Sequence, residues 1–177
     1  KIPHIPIVAE GLDKKDLYAI STTNWQPYDW SINNVGLAEQ LHTSLAFWQG
    51  GQSETAFKMW ESALVDSMYL GASPGGFEQL SFYDAMRGEL YRDFADPIGM
   101  TSRTLVEGLF GIQPNALENR LTIQPGFPEK WNDATLEIPD ISLSFKRNNN
   151  TDSYQIKNHF ATKMNLKLVV KISFDNI

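Results

Sequence analysis

The chain has no cysteine. Disulfide staples, thiol nucleophiles and Cys-ligated zinc are thereby excluded, and the redox compartment stays open. Histidine is scarce, at positions 4, 42 and 159 only. That is too little and too dispersed for a His-rich metal site, so neither metal nor cofactor is expected. Positive charge is thin as well. Fifteen Lys and Arg stand against 21 Asp and Glu, a formal net charge of −6, and the basic residues form no run. Binding of a polyanion draws on such runs, so nucleic acid is disfavoured as a partner. No apolar stretch approaches the roughly 18 residues of a membrane-spanning helix. The fingerprints GxGxxG, GxxxxGK[ST] and HExxH are missing too.

What is present is ordinary globular material. Hydrophobic residues make up 42% of the 177, aromatics 12% and charged residues 20%. This is enough for a real core in one large domain or two small ones. The hydrophobic period changes once, near residue 113. Ahead of it apolar residues fall three or four apart; behind it they alternate or cluster between turn formers. A helical domain over 1–112 and a sandwich-like β-domain over 113–177 are therefore expected. The class is α+β, because helices precede strands rather than alternating with them. The margins, KIPHIPIVAEG and LKLVVKISFDNI, show no initiator Met, no signal peptide and no tail, and read as the ends of a piece of something longer.

The stripe Leu37, Leu41, Leu45 and Trp48 predicts a first helix over about 33–49, stopped by Gly50-Gly51. Ser53 as N-cap and the stripe Ala56, Phe57, Trp60, Ala63, Leu64 and Met68 predict a second, to about Tyr69. Together they form an antiparallel αα-hairpin. A third helix is expected over about 81–94, and a fourth from a Thr101 cap to Phe110, ended by Gly111. From Leu121 onward LTIQP, ATLEIP, ISLSFKR, SYQIKNHF and LKLVVKISF read as strands of an antiparallel β-domain, with RNNNTDS a hairpin turn.

The chemistry then rests on carboxylates, amides and aromatic rings. Sugar rings stack their apolar faces on Trp and Tyr, while their hydroxyls need Asp, Asn, Glu or Arg partners. Glycosidic cleavage needs two carboxyl groups, one to protonate the leaving oxygen and one to activate water or attack carbon. Two segments gather such groups. In WQPYDWSINN, Trp25, Tyr28 and Trp30 sit beside Asp29, Asn33 and Asn34. The rings either line a sugar subsite or pin the loop to the core; the Asn pair either orients water or caps the first helix. In ELYRDFADPIG, Asp93 and Asp96 flank Phe94 at an expected helix C-terminus. The dipole disfavours a carboxylate there unless it is paired or used, so Asp96 reads as a site residue or as a cap of the next turn. Glu61 and Glu107 are weaker candidates. Thr101, Ser102 and Arg103, at an expected helix N-terminus, read as an ordinary cap or as a phosphate subsite.

Gly108–Pro114 (GLFGIQP) followed by Leu121–Trp131 (LTIQPGFPEKW) resembles the closing segment of glycoside hydrolases built on an (α/α)6 toroid, the six-hairpin glycosidases. In those enzymes a last toroid helix runs into a C-terminal β-domain. LAFWQGGQSETAFKMWESAL is similar to their helix pairs, and the resemblance covers about residues 30–140. It looks nearest to the rhamnosidase-like and fucosidase-like branches. It implies a partial toroid completed by the upstream part of the same protein, an oligosaccharide or polysaccharide substrate, and hydrolysis with inversion. Asp96 is then similar to the general base, and Trp30 with Asn33 and Asn34 to the segment that supports the water. Trp25, Tyr28, Trp30 and Asp93 would meet the sugar. Pro97 directly after Asp96, and adjacent rather than alternate asparagines, depart from that pattern. Trp60-Glu61 matches the Trp-Glu pair of the rhamnosidase-like branch in its letters, and the general acid has no match. An extracytoplasmic location is implied by the resemblance alone. Two other readings stay open: a phosphorolytic enzyme on the same toroid, with Thr101, Ser102 and Arg103 on phosphate, and a non-catalytic carbohydrate-binding or structural module.

Overall fold

The computed structural model describes residues 4–6, 16–20, 34–70, 80–81, 95–149 and 151–171. Helices dominate the first half and small, mostly antiparallel sheets the second, which is the α+β order. Two compact units divide between Thr104 and Leu105, ahead of the change in hydrophobic period.

In the first unit β1 (His4–Pro6) pairs antiparallel with β2 (Tyr18–Ile20), and β3 (Asn34–Val35) leads into α1 (Leu37–Gln49) and α2 (Ser53–Val65). The helical stripe would start α1 at residue 33. The start moves to Leu37 because Asn34 and Val35 pair antiparallel with β4 (Leu80–Ser81). The same pairing makes Ser81 a strand residue rather than the start of a helix; the rest of that expected helix, 82–94, lies outside the described residues. Gly51, at φ 75°, makes the tight reversal, and the Gln52 N–H donates to Phe47 O at 2.9 Å. Gln52, not Ser53, holds the N-cap position of α2, and no side chain caps it.

Burial follows the α1 stripe: Leu37, Leu41, Leu45 and Trp48 are all buried. On α2 the stripe differs from the expected one. Met59 is buried as well, and Met68 is exposed because the chain widens past Val65 into a π-helical turn, Asp66–Leu70. The extra residue in that turn rotates Met68 off the buried face. Two of the buried hydroxyls and one amide tie the elements of this unit together. Ser44 Oγ donates to Ala56 O at 2.6 Å, tying the two helices. Gln40 has no exposed surface. Its Oε1 accepts from Ile20 N–H at 3.0 Å, and its Nε2 donates to Tyr18 O at 3.2 Å and Met59 O at 2.9 Å. Tyr18 N–H donates to Ser62 Oγ at 3.2 Å. The Gln40 amide thus stands where the peptide group of a neighbouring strand would stand, closing the edge of β2 that β1 leaves open.

The third described helix, α3 (Ala95–Arg103), packs on α1 by placing Met100 in the cluster of Leu37, Ala38, Leu41 and Leu45. It begins ahead of Thr101. Pro97 falls in its first turn, where a missing N–H costs nothing. The helix then widens into a second π-helical turn, Thr104–Leu109, in which Phe110 N–H reaches back to Leu105 O at 3.0 Å.

The second unit contains β5 (Ile112–Asn115), β6 (Arg120–Ile123), β7 (Asp133–Ile138), β8 (Ile141–Asn148), β9 (Thr151–Asn158) and β10 (Asn165–Leu168). They form two three-stranded sheets, β10-β6-β5 and β7-β8-β9. Every pair is antiparallel except β10 with β6, which is parallel, so the expected all-antiparallel domain is corrected at that pair. A parallel partner needs a long crossover, and the whole of β7-β8-β9 supplies it. Strand β5 escapes sequence reading because IQPN holds a proline. It is an edge strand, where proline is tolerated.

Alternation on β8 buries Ile141, Leu143 and Phe145. Phe127 stacks on Phe145 with centroids 4.7 Å apart and meets Phe110 edge-on at 5.1 Å. Gly111, at φ 66°, has no room for a side chain: a Cβ there would overlap the Gln124 carbonyl. The β8–β9 hairpin turns at Asn149, φ 51°, where RNNNTDS predicts a turn.

Candidate functional site

Asp96 is the second residue of α3, and it is exposed. In the first turn of that helix the dipole favours its carboxylate. The next side chain, Pro97, is fully buried and fixes the start of the helix to the unit. Asn34 lies in β3, its backbone paired opposite Ser81. Asn33, Asp93, Trp25, Tyr28 and Trp30 lie outside the described residues. What the structure brings together is the pair of helices that these segments lead into. Met100, one turn beyond Asp96, shares a buried cluster with Leu37 and Ala38, at the very start of α1.

The phosphate subsite is corrected. Thr101, Ser102 and Arg103 lie within α3, not at its N-terminus. Thr101 Oγ1 donates to Pro97 O at 2.8 Å and Ser102 Oγ to Ile98 O at 3.3 Å, so both hydroxyls turn back onto the helix. The free amides of the helix lie in its first turn, ahead of these three residues, so the basis for an anion on them is gone.

Trp60 and Glu61 lie mid-helix on α2. Trp60 packs edge-on to Trp48 at 6.4 Å and against Phe57 at 6.0 Å, and its buried indole N–H makes no hydrogen bond. Glu107 is half-buried in the π-helical turn, and its backbone carbonyl accepts from Gln113 Nε2 at 3.2 Å. His42 and His159 are exposed. Gly71–Gly75 (GASPG) has the G-x-S-x-G spacing. That motif carries chemistry only on a strand-turn-helix elbow, and it falls outside the described residues. Among the described residues no group of three or more His, Asp or Glu converges as a metal site, and no helix is long and apolar enough to cross a membrane.

The clearest electrostatic pair lies in the β8–β9 hairpin. Arg147 meets Asp152 through two hydrogen bonds of 2.8 Å, donates to Glu129 O at 2.9 Å, and sits over the Phe145 ring. The bond from Arg147 holds the Asp152 carboxyl below its ordinary range, and burial raises the Tyr154 hydroxyl. Both partners are cross-strand neighbours, so this is a clasp on the hairpin.

The motif residues that carry the resemblance serve packing. Phe110, Phe127 and Trp131 form one aromatic cluster, Gly111 admits the Gln124 carbonyl, and Leu121 and Ile123 are core. They speak to architecture and not to a site. No protein-family model, no curated protein and no solved structure matches this chain.

Proposed function

We propose that the chain is the C-terminal portion of a carbohydrate-active enzyme that hydrolyses glycosidic bonds with inversion, its helices forming part of an (α/α)6 toroid. In this reading Asp96 is the general base. It takes a proton from a water that attacks the anomeric carbon opposite the leaving group, while an acid elsewhere in the toroid protonates the leaving oxygen. Asn33 and Asn34 orient that water. Trp25, Tyr28 and Trp30 stack on the sugar, and Asp93 accepts from its hydroxyls. The observation that carries the reading is the placement of Asp96. An exposed carboxylate stands at the start of a helix anchored by a buried proline, and that helix packs on α1, into which the Asn33-Asn34 segment leads.

The test is release of reducing sugar from an oligosaccharide panel, by the 177-residue chain and by the full-length enzyme to which it belongs. Turnover should be independent of phosphate and fall about 10²- to 10⁴-fold in Asp96→Asn, the loss expected of a general base. Turnover of that variant within about threefold of the parent, far short of such a loss, would remove Asp96 from the role.

A further inference from the structure

The first sheet of the second unit ends in a strand whose apolar side chains stay about half exposed. β10 pairs with β6 along one edge, and no described strand pairs with the other. The parallel register sets Leu166 beside Leu121 and Leu168 beside Ile123. Register partners share a side of the sheet, so all four lie on one face. Leu121 and Ile123 are 3% and 0% exposed, whereas Leu166 and Leu168 are 53% and 43% exposed. The layer that covers β6 therefore stops short of β10. A cavity of about 460 Å³, lined by Leu121, Ile156, Phe160, Met164 and Leu166 among others, opens there. An added strand would satisfy both the unpaired backbone edge and the uncovered apolar row.

Charge selects which strand. Residues 153–171 contain Lys157, Lys163, Lys167 and Lys171 and not one Asp or Glu. By strand alternation Lys167 lies on the face opposite Leu166 and Leu168. A second β10 laid on the first with Leu166 opposite Leu168 would oppose Lys167 to Lys167, and no register would give that lysine an acidic partner. An edge that alternates apolar with acidic residues fits instead, and β7 is one. Among the described residues it pairs with β8 alone. Asp133 and Glu137 are exposed on one of its faces, while Ala134, Leu136 and Ile138 share the other with buried Phe145, Leu143 and Ile141. Laid against β10, β7 would extend the apolar face without a break and bring its carboxylates to Lys167.

We propose that β10 of one copy of this chain takes β7 of a second copy as its neighbouring strand. The two edges differ, so the contact is heterologous and repeats head to tail. Sedimentation velocity over a rising concentration series tests it. The weight-average mass should climb above 20.0 kDa with concentration and fall back as salt is added. Lys167→Glu and Glu137→Lys change exposed side chains, and unchanged circular dichroism would show that both variants fold. Each reversal places like charges together at the contact and should weaken association about tenfold. An equimolar mixture of the two variants again pairs opposite charges and should restore the wild-type mass distribution. A wild-type chain that stays monomeric throughout, variants that associate like wild type, or a mixture that stays monomeric would each overturn the proposal.

Discussion

Gln40→Met isolates the role of one buried amide. Methionine nearly conserves the volume, so packing changes little and the hydrogen bonds alone are lost. Ile20 N–H then has no acceptor and Tyr18 C=O no side-chain donor. Met59 C=O loses less, since a helical carbonyl has a second lone pair already in use. Each buried backbone group left unsatisfied costs about 1–3 kcal/mol. The Ile20 N–H is such a group, which gives about 1–3 kcal/mol. In urea, at a slope near 2 kcal/mol/M, that lowers the midpoint by about 0.5–1.5 M. Four of the five tryptophans lie within residues 1–104, so their fluorescence follows the first unit. Hydrogen exchange adds a local readout: the Ile20 amide should lose protection by more than the α1 amides do. A midpoint within about 0.3 M of wild type, below the smallest shift expected, together with unchanged exchange at Ile20, would show that Gln40 does not hold the strand.

Gly111→Ala places a Cβ against the Gln124 carbonyl at φ 66°, whereas Gly51→Ala at φ 75° meets nothing within 4 Å. The first should cost about 3 kcal/mol or more and the second about 1 kcal/mol; equal losses in denaturant titrations would refute the steric argument. Phe145→Ala empties the centre of the aromatic cluster and should cost about 3–5 kcal/mol, read as loss of near-ultraviolet dichroism at lower denaturant. The Arg147–Asp152 clasp makes stability depend on acid. The Asp152 pKa is lowered in the folded chain, so the contribution is whole above the unfolded value near 3.9 and is lost as pH falls through the folded value. With both side chains about a quarter exposed, it amounts to about 0.5–1 kcal/mol. Asp152→Asn should lower stability at pH 7 but not at pH 2, where urea midpoints of the two proteins should converge.

The helical hairpin and the strands from β6 onward were legible because their signal is local, whereas β1 to β5 were not read. Leu37, Leu41, Leu45 and Trp48 repeat with the helical period, and Ile141, Leu143 and Phe145 with the strand period, and both sets are buried. Gly50-Gly51 and RNNNTDS mark turns by backbone freedom that neighbours do not supply. The boundaries were another matter. Where α1 begins depends on a strand partner at residues 80–81, and where α3 begins depends on Pro97 finding a first turn, which only the fold offers. Asp96 changed meaning with that boundary: the same carboxylate opposes the dipole at one helix end and suits it at the other. Gln40 had no signal at all, for a lone glutamine on a helix is ordinarily solvated. Its three partners come from two segments distant in sequence, and they converge only when β2 and α2 close over it. Periodicity sorts residues by face, and so the sequence by itself determined which faces are buried. Hydrogen-bond satisfaction in a dry interior is a property of what meets there, and so only the tertiary structure decided which polar groups the core would keep.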